Sequence, residues 1–297
     1  MKKIGYLFAG QGQQFVRMGH DLAEHDDAKK IYQTAEKILG YNILNLTEEE
    51  LSMTSYTQPA LYVLGHVIDT LLKKQGYKPS IVAGLSLGEY NALTSASSLS
   101  FEDGLALINK RAHIMNNALE PYTSGMAACL KTDVHTVSNL LKDTGVEVCN
   151  INTPSQIVIG GSKANLDKAI PLLKEGGVKM VIPLKMSTVS HMSLLEPASE
   201  LLRQELKGVN FKAPEVPFIN NIQASYQKDG FVDTLSQHIS NPTRMADTIK
   251  RMNEDGVELF IEIGPKGQLS KFVKEICGKD TATLNIYDAV SLGDLYE

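Results

Sequence analysis

Ser80-Ile-Val-Ala-Gly84-Leu-Ser86-Leu-Gly88-Glu-Tyr90 is the stretch that decides the fold. Residues 80–83 form a short apolar run ended at once by glycine, which reads as a buried strand. Residues 89–96 are small and helix-compatible, so strand passes to helix through a tight turn. Gly84-x-Ser86-x-Gly88 fits a nucleophile elbow, with glycines where a Cβ would clash and a serine at the carboxyl edge of a sheet. The five-residue pattern alone is weakly specific; its place between an apolar strand and a helix gives it weight.

Working outward, residues 4–8 read as a second buried strand, ended by the glycine-rich turn Gly10-Gln-Gly-Gln-Gln14. Helical periodicity runs over 27–39, over 59–74 with Pro59 suited to a first turn, and over 101–119. Strands alternating with helices predict an α/β protein with a mainly parallel sheet. Between residues 122 and 187 the rhythm changes. Strands are expected at 125–130, 146–150, 156–160 and 178–184, with helices at 134–142 and 164–174. That β-α-β-β-α-β order is the split βαβ arrangement of a ferredoxin-like unit, expected as an insert at 122–187 in a larger domain of residues 1–121 and 188–297. Beyond it come a helix at 194–206, a strand near 216–219, two helices within 232–253, and a strand at 257–263. Gly264-Pro265 ends that strand before a last helix.

Composition narrows the function classes. Of 297 residues, 43% are hydrophobic and 21% charged, as in ordinary globular proteins. A formal net charge of −5 argues against wholesale nucleic-acid binding. The three cysteines lack metal-ligand spacing and fit a reduced setting. The apolar run at residues 4–9 is too short for a signal segment, and no stretch approaches the roughly 20 apolar residues of a membrane span. The expectation is a cytoplasmic protein with no membrane or nucleic-acid partner, no metal and no bound cofactor.

Arg111 is the most informative residue by pattern. On the 101–119 helix its neighbours three and four positions away are Leu107, Ile108, Ile114 and Met115, so it lies on an apolar face. It is either half of a buried structural ion pair or a guanidinium that waits for a substrate carboxylate. A nucleophilic serine needs a base, usually histidine. Of seven histidines, His191 and His238 both occupy junctions between elements, and pattern alone ranks them level. Gly10-Gln11-Gly12 lacks the Walker lysine-serine ending and the G-x-G-x-x-G spacing; its backbone N–H groups could line an oxyanion hole.

Taken together, these residues resemble the malonyl-CoA:acyl carrier protein transacylases of fatty-acid synthesis and the related acyltransferase domains of polyketide synthases. Gly10-Gln-Gly-x-Gln14 looks like that family's N-terminal G-Q-G-[SA]-Q, and Thr57-Gln-Pro-Ala60 matches its T-Q-P-A. Gly84-Leu-Ser-Leu-Gly-Glu89 corresponds to its elbow, Lys110-Arg111 to its substrate arginine, Ser190-His191 to its S-H pair, and Glu262-Ile-Gly-Pro265 to its E-x-G-P. The resemblance implies an α/β-hydrolase-like large domain with a ferredoxin-like insert. It also implies Ser86 as nucleophile, His191 as base, the N–H groups of Gln11 and Leu87 as oxyanion hole, and Arg111 with Gln58 as substrate-binding residues. The family orients its histidine by a backbone carbonyl in a Q-L-x-x-P segment, which here is His238-Ile-Ser-Asn241-Pro242.

The implied reaction is malonyl transfer from malonyl-CoA, a substrate rather than a cofactor, to the phosphopantetheine thiol of holo acyl carrier protein, by a monomeric enzyme. The alternatives are a trans-acting acyltransferase of a polyketide synthase and, in another class, an acyl carrier protein hydrolase, which needs no carboxylate clamp. Departures from the family pattern include His238 for glutamine, Ala9 for proline and Gln13 for serine or alanine. Carrier proteins are acidic, so a basic docking surface is expected among Lys163, Lys168, Lys174, Lys179 and Lys185 and near Lys266, Lys271 and Lys274.

Overall fold

The computed structural model describes residues 2–184 and 189–293. Strands β1 (Ile4–Phe8) and β2 (Ile81–Gly84) pair in parallel at the centre of a six-stranded sheet. Alternation sorts their side chains: Tyr6, Phe8 and Val82 enter one apolar cluster, Leu7, Ile81 and Ala83 the other. Both faces are therefore buried under helices, which explains why these strands read as continuous apolar runs. The larger cluster takes the helix Thr54–Lys74, buried along most of its length, and the helix Phe101–Asn116. The smaller takes the helices Met245–Glu254 and Gln268–Cys277.

A second sheet follows in sequence. Strands β3 (Ser124–Leu130), β4 (Val146–Thr153), β5 (Gln156–Ser162) and β6 (Met180–Pro183) lie in the order β4-β5-β3-β6, every pair antiparallel. The helices Val134–Leu140 and Lys163–Glu175 cover one face. The other face presents Met126, Ala128, Cys149 and Val158, which pack with Val189 and Met192. The chain then returns to the first sheet with β7 (Phe218–Ile219), β8 (Tyr226–Gln227), β9 (Leu259–Ile263) and β10 (Thr283–Ile286). The final order is β10-β9-β1-β2-β7-β8, parallel except for β8 against β7. The structure is thus α/β with a mainly parallel principal sheet.

Backbone bonds tie β4 of the second sheet to the segment just before the helix Met245–Glu254: Thr243 N–H donates to Cys149 O at 2.9 Å, and Ile151 N–H to Thr243 O at 2.9 Å. Among the described residues no helix is long and apolar enough to cross a membrane.

Several elements depart from the sequence reading. The helix expected at 59–74 starts at Thr54, so Pro59 lies inside it rather than in its first turn. Proline removes one backbone bond there, and extensive burial of the helix outweighs that loss. The helix Glu48–Ser52 was not expected, although Thr47 and Glu50 form a capping box at its start. The helix expected to close the chain is followed by β10 and by the helix Ala289–Gly293. Position 187, the expected end of the insert, lies outside the described residues.

Candidate active site

Gly84 ends β2, and the helix Gly88–Ser95 begins four residues later. A Cβ on Gly84 would lie 2.0 Å from the Gly88 carbonyl carbon, and one on Gly88 2.4 Å from Phe8 O. Only glycine permits this crossing of strand, turn and neighbouring strand. Between them Ser86 has φ 55°, a left-handed conformation that costs a non-glycine residue about 1–2 kcal/mol. Its N–H is held by Asn221 Oδ1 at 3.0 Å. The strained serine is therefore aimed, as such outliers often are at functional sites.

His191 is the histidine that reaches it. His191 Nε2 lies 2.9 Å from Ser86 Oγ, and Nδ1 2.7 Å from the His238 carbonyl. A carbonyl can only accept, so Nδ1 carries the proton and Nε2 presents its lone pair to the serine hydroxyl. His191 also has positive φ, 62°, and its N–H donates to Ile239 O at 2.8 Å. Burial lowers its pKa well below the ordinary imidazole value, and the neighbouring charges of His238 and Arg111 push the same way. His238, the rival candidate, stands behind His191 with ring centroids 4.6 Å apart and does not touch Ser86. Asn241 spends its side chain on Gln237 O at 2.8 Å and on Ser240, while its backbone hydrogen-bonds His191 and opposes the lowering of the histidine's pKa.

Arg111 is 1% exposed. Nη2 donates to Ser86 Oγ at 3.0 Å, Nη1 donates to Gln58 Oε1, and the guanidinium lies 5.5 Å from the Tyr90 ring centroid. Among the described residues it has no carboxylate partner within ion-pair distance, and Nε has no hydrogen-bond acceptor. The structural ion pair is thereby excluded for those residues. Burial lowers its pKa, opposed by Tyr90 and the charge of Glu89, yet a guanidinium stays protonated at any ordinary pH. Gln58 is itself held: its Nε2 donates to Thr54 Oγ1 at 2.9 Å, and that hydroxyl donates to Gln11 Oε1 at 2.6 Å.

Gln11 and Leu87 flank Ser86 in the wall of a cavity of about 530 Å³. Its opposite wall comes from the second sheet, with Asn150, Asn152, Gln156 and Val158. Asn152 Oδ1 is buried without a hydrogen-bond partner among the described residues. Lys266 and Lys271 line an adjoining cavity, while Lys163, Lys168, Lys174, Lys179 and Lys274 are exposed. Lys185 lies outside the described residues. Asn221 and Glu89 were missed as site residues by sequence reasoning. Asn221 carried no signal at all, and Glu89 was visible only as part of the elbow motif.

A strained serine with a neutral histidine and an unpaired buried cation at its hydroxyl is equipped for acyl transfer to and from oxygen. Comparison with known proteins agrees. Residues 5–295 match the acyl transferase domain family. The malonyl CoA-acyl carrier protein transacylase of Bacillus subtilis (strain 168) is 36% identical over 288 residues, 93% of this chain and 91% of that protein. The crystal structure of MCAT from Streptococcus pneumoniae superposes with a TM-score of 0.94 at 40% identity, covering 99% of both chains. A malonyl-transacylase solved in complex with a type II polyketide synthase acyl carrier protein gives 0.93 at 31%, covering 98% of this chain and 97% of that one. The chain belongs to the acyl transferase domain family.

Proposed function

We propose that the chain moves a malonyl group from malonyl-CoA to the phosphopantetheine thiol of a holo acyl carrier protein through a malonyl-Ser86 intermediate. The observation that carries this reading is the Ser86 hydroxyl shared between His191 Nε2 and the uncompensated Arg111 guanidinium. A base on the nucleophile makes an acyl-enzyme; a buried cation beside it selects an acyl group that ends in a carboxylate.

In the first half-reaction Ser86 Oγ attacks the thioester carbonyl while its proton passes to His191 Nε2. The oxyanion forms against the N–H groups of Gln11 and Leu87, which border the same cavity wall. The intermediate collapses, the C–S bond breaks, and the coenzyme A thiolate leaves with the proton from His191. In the second half the carrier's thiol loses its proton to His191, its sulfur attacks the acyl-serine, and the Ser86 alkoxide recovers the proton. The lowered pKa of His191 suits this exchange, because the ring must start each half-reaction neutral. The His238 carbonyl acts as the orienting acceptor that an aspartate supplies in other serine enzymes.

In this reading residues 1–121 and 188–297 form an α/β-hydrolase-like domain, and 122–187 a ferredoxin-like insert. The β4-β5-β3-β6 order with two helices on one face supports the second description. The enzyme works as a cytoplasmic monomer without metal or bound cofactor, and supplies fatty-acid synthesis. Supply of a polyketide synthase is the second reading, favoured by the similarity to the transacylase solved with such a carrier. A carrier-protein hydrolase is disfavoured because it has no use for Arg111.

The test is intact-protein mass after brief exposure to malonyl-CoA, then after addition of holo carrier protein. A malonyl adduct that is absent in Ser86→Ala and passes to the carrier is the expected result. An adduct lost to water without reaching the carrier would point to the hydrolase.

A further inference from the structure

Glu89 follows the elbow's second glycine and is 2% exposed, with both carboxylate oxygens in use. Oε1 accepts the Asn221 backbone N–H at 2.6 Å, and Oε2 pairs with Nδ1 of the equally buried His238. Each partner reaches one half of the catalytic pair. The Asn221 side-chain oxygen accepts the Ser86 N–H at 3.0 Å, and the His238 carbonyl accepts the His191 Nδ1 proton at 2.7 Å. Ser86 Oγ and His191 Nε2 close the circuit at 2.9 Å. Ser86, Asn221, Glu89, His238 and His191 thus form one closed ring, with Glu89 across from the reacting oxygen.

We propose that Glu89 is a positioning residue for the transfer reaction, which keeps nucleophile and base in register through Asn221 and His238. The inference rests on the malonyl-transfer reading above. A carboxylate taken out of water costs several kcal/mol unless donors meet it, so its place needs a reason. Neither contact is a bond within the helix that carries Glu89; both reach across the chain. Glu89 does not line the catalytic cavity, so it acts through its partners and not on substrate. Loss of the carboxylate frees the backbone of Asn221 and the ring of His238 together. The serine amide and the histidine's acceptor then drift independently. A misplacement of about 1 Å in such a pair costs on the order of a hundredfold in rate.

Glutamine is the informative replacement. Its oxygen can still accept the Asn221 N–H, but its NH2 then faces His238 Nδ1. That forces the His238 proton onto Nε2, which has no hydrogen-bond partner among the described residues.

The experiment measures kcat and KM for malonyl transfer to holo carrier protein by wild type, Glu89→Gln and Glu89→Ala, below each variant's melting temperature. The expected losses in kcat are about tenfold for Glu89→Gln and about a hundredfold for Glu89→Ala, with KM for malonyl-CoA within threefold of wild type. A folded Glu89→Ala enzyme with wild-type kcat, or one impaired in KM alone, overturns the proposal. If Glu89→Ala does not fold, Glu89→Gln decides: wild-type kcat overturns the proposal and a tenfold loss at intact melting behaviour supports it. Failure of the malonyl-transfer reading is distinguishable, because wild type itself would then form no malonyl adduct.

Discussion

Arg111 places Nη2 3.0 Å from Ser86 Oγ, so a fully buried cation touches the nucleophile directly. The contact makes the serine both donor to His191 and acceptor from Arg111. It also leaves a guanidinium that feels the Glu89 charge but has no ion-pair partner among the described residues, which makes it the natural point at which to test selectivity.

Arg111→Ala should reduce kcat/KM for malonyl-CoA by at least a hundredfold, since a charge-assisted bidentate contact in a buried site is worth about 3 kcal/mol. Acetyl-CoA, which has no free carboxylate, should lose far less. Parallel kinetics with the two thioesters check this, and equal losses would remove the clamp role.

Gln58→Leu should act on the same selectivity at one remove. It deletes the acceptor of Arg111 Nη1 while leaving the cation in place. A loss of about tenfold in kcat/KM for malonyl-CoA is expected, in keeping with about 1.5 kcal/mol for a hydrogen bond to a charged group. The loss should sit mainly in KM, and acetyl transfer serves as the internal control.

Gly84→Ala tests the elbow without changing any polar group. The new methyl would meet Gly88 backbone at 2.0 Å, and no side-chain rotation can relieve that contact. Overpacking of this kind costs about 1–3 kcal/mol and can exceed it. A lowered melting temperature together with loss of the malonyl adduct is the expected pair of results.

Two histidines set the response to acid. Burial lowers the pKa of His191 well below the ordinary value, so the base stays neutral on mild acidification. The acid limb of kcat/KM should therefore lie below pH 6.5, and a limb above it would contradict the assignment of base. His66, stacked on Phe101 at 4.4 Å, is lowered by burial to about 4. A depressed histidine favours folding while it is neutral, so its contribution is complete above the unfolded value near 6.5. It declines as the pH falls from there toward about 4, where the folded ring also takes up a proton. Melting temperatures between pH 7 and 4 should show this decline, and His66→Phe should flatten it.

Local signals carried much of the architecture. The elbow was legible because Gly84 is demanded by the Gly88 backbone four residues on, and because Gly88, though demanded by the distant Phe8 O, falls in the same short pattern; the alternating Tyr6, Leu7 and Phe8 announce a strand buried on both faces. The apolar setting of Arg111 announced a buried cation before any contact was known. What escaped depends on distant chain. Tyr226–Gln227 is a strand only because β7 lies beside it, and Pro59 sits within a helix only because burial overrides its local cost. His191 could not be ranked above His238, because the choice is made by a 2.9 Å approach across more than a hundred residues. Asn221 was invisible for the same reason: its bond to Ser86 is a property of the folded sheet and not of its neighbours in sequence.

The cavity is lined from two parts of the fold. Ser86 and Leu87 follow β2 and Arg111 stands on the helix Phe101–Asn116; Asn150, Asn152, Gln156 and Val158 belong to the second sheet, and among the described residues none of these four bonds Ser86 Oγ or the His191 ring. The fit of the acyl group beyond its carboxylate is consequently separable in heredity from the chemistry and from the charge that Arg111 reads. Substitutions of Asn150, Asn152 or Gln156 can reshape what the cavity admits, whereas Val158 packs with Val189 and Met192 on either side of the base and is tied to the chemistry. A single scaffold can in this way diversify the shape of its carboxylate-bearing cargo by drift at a few positions of β4 and β5.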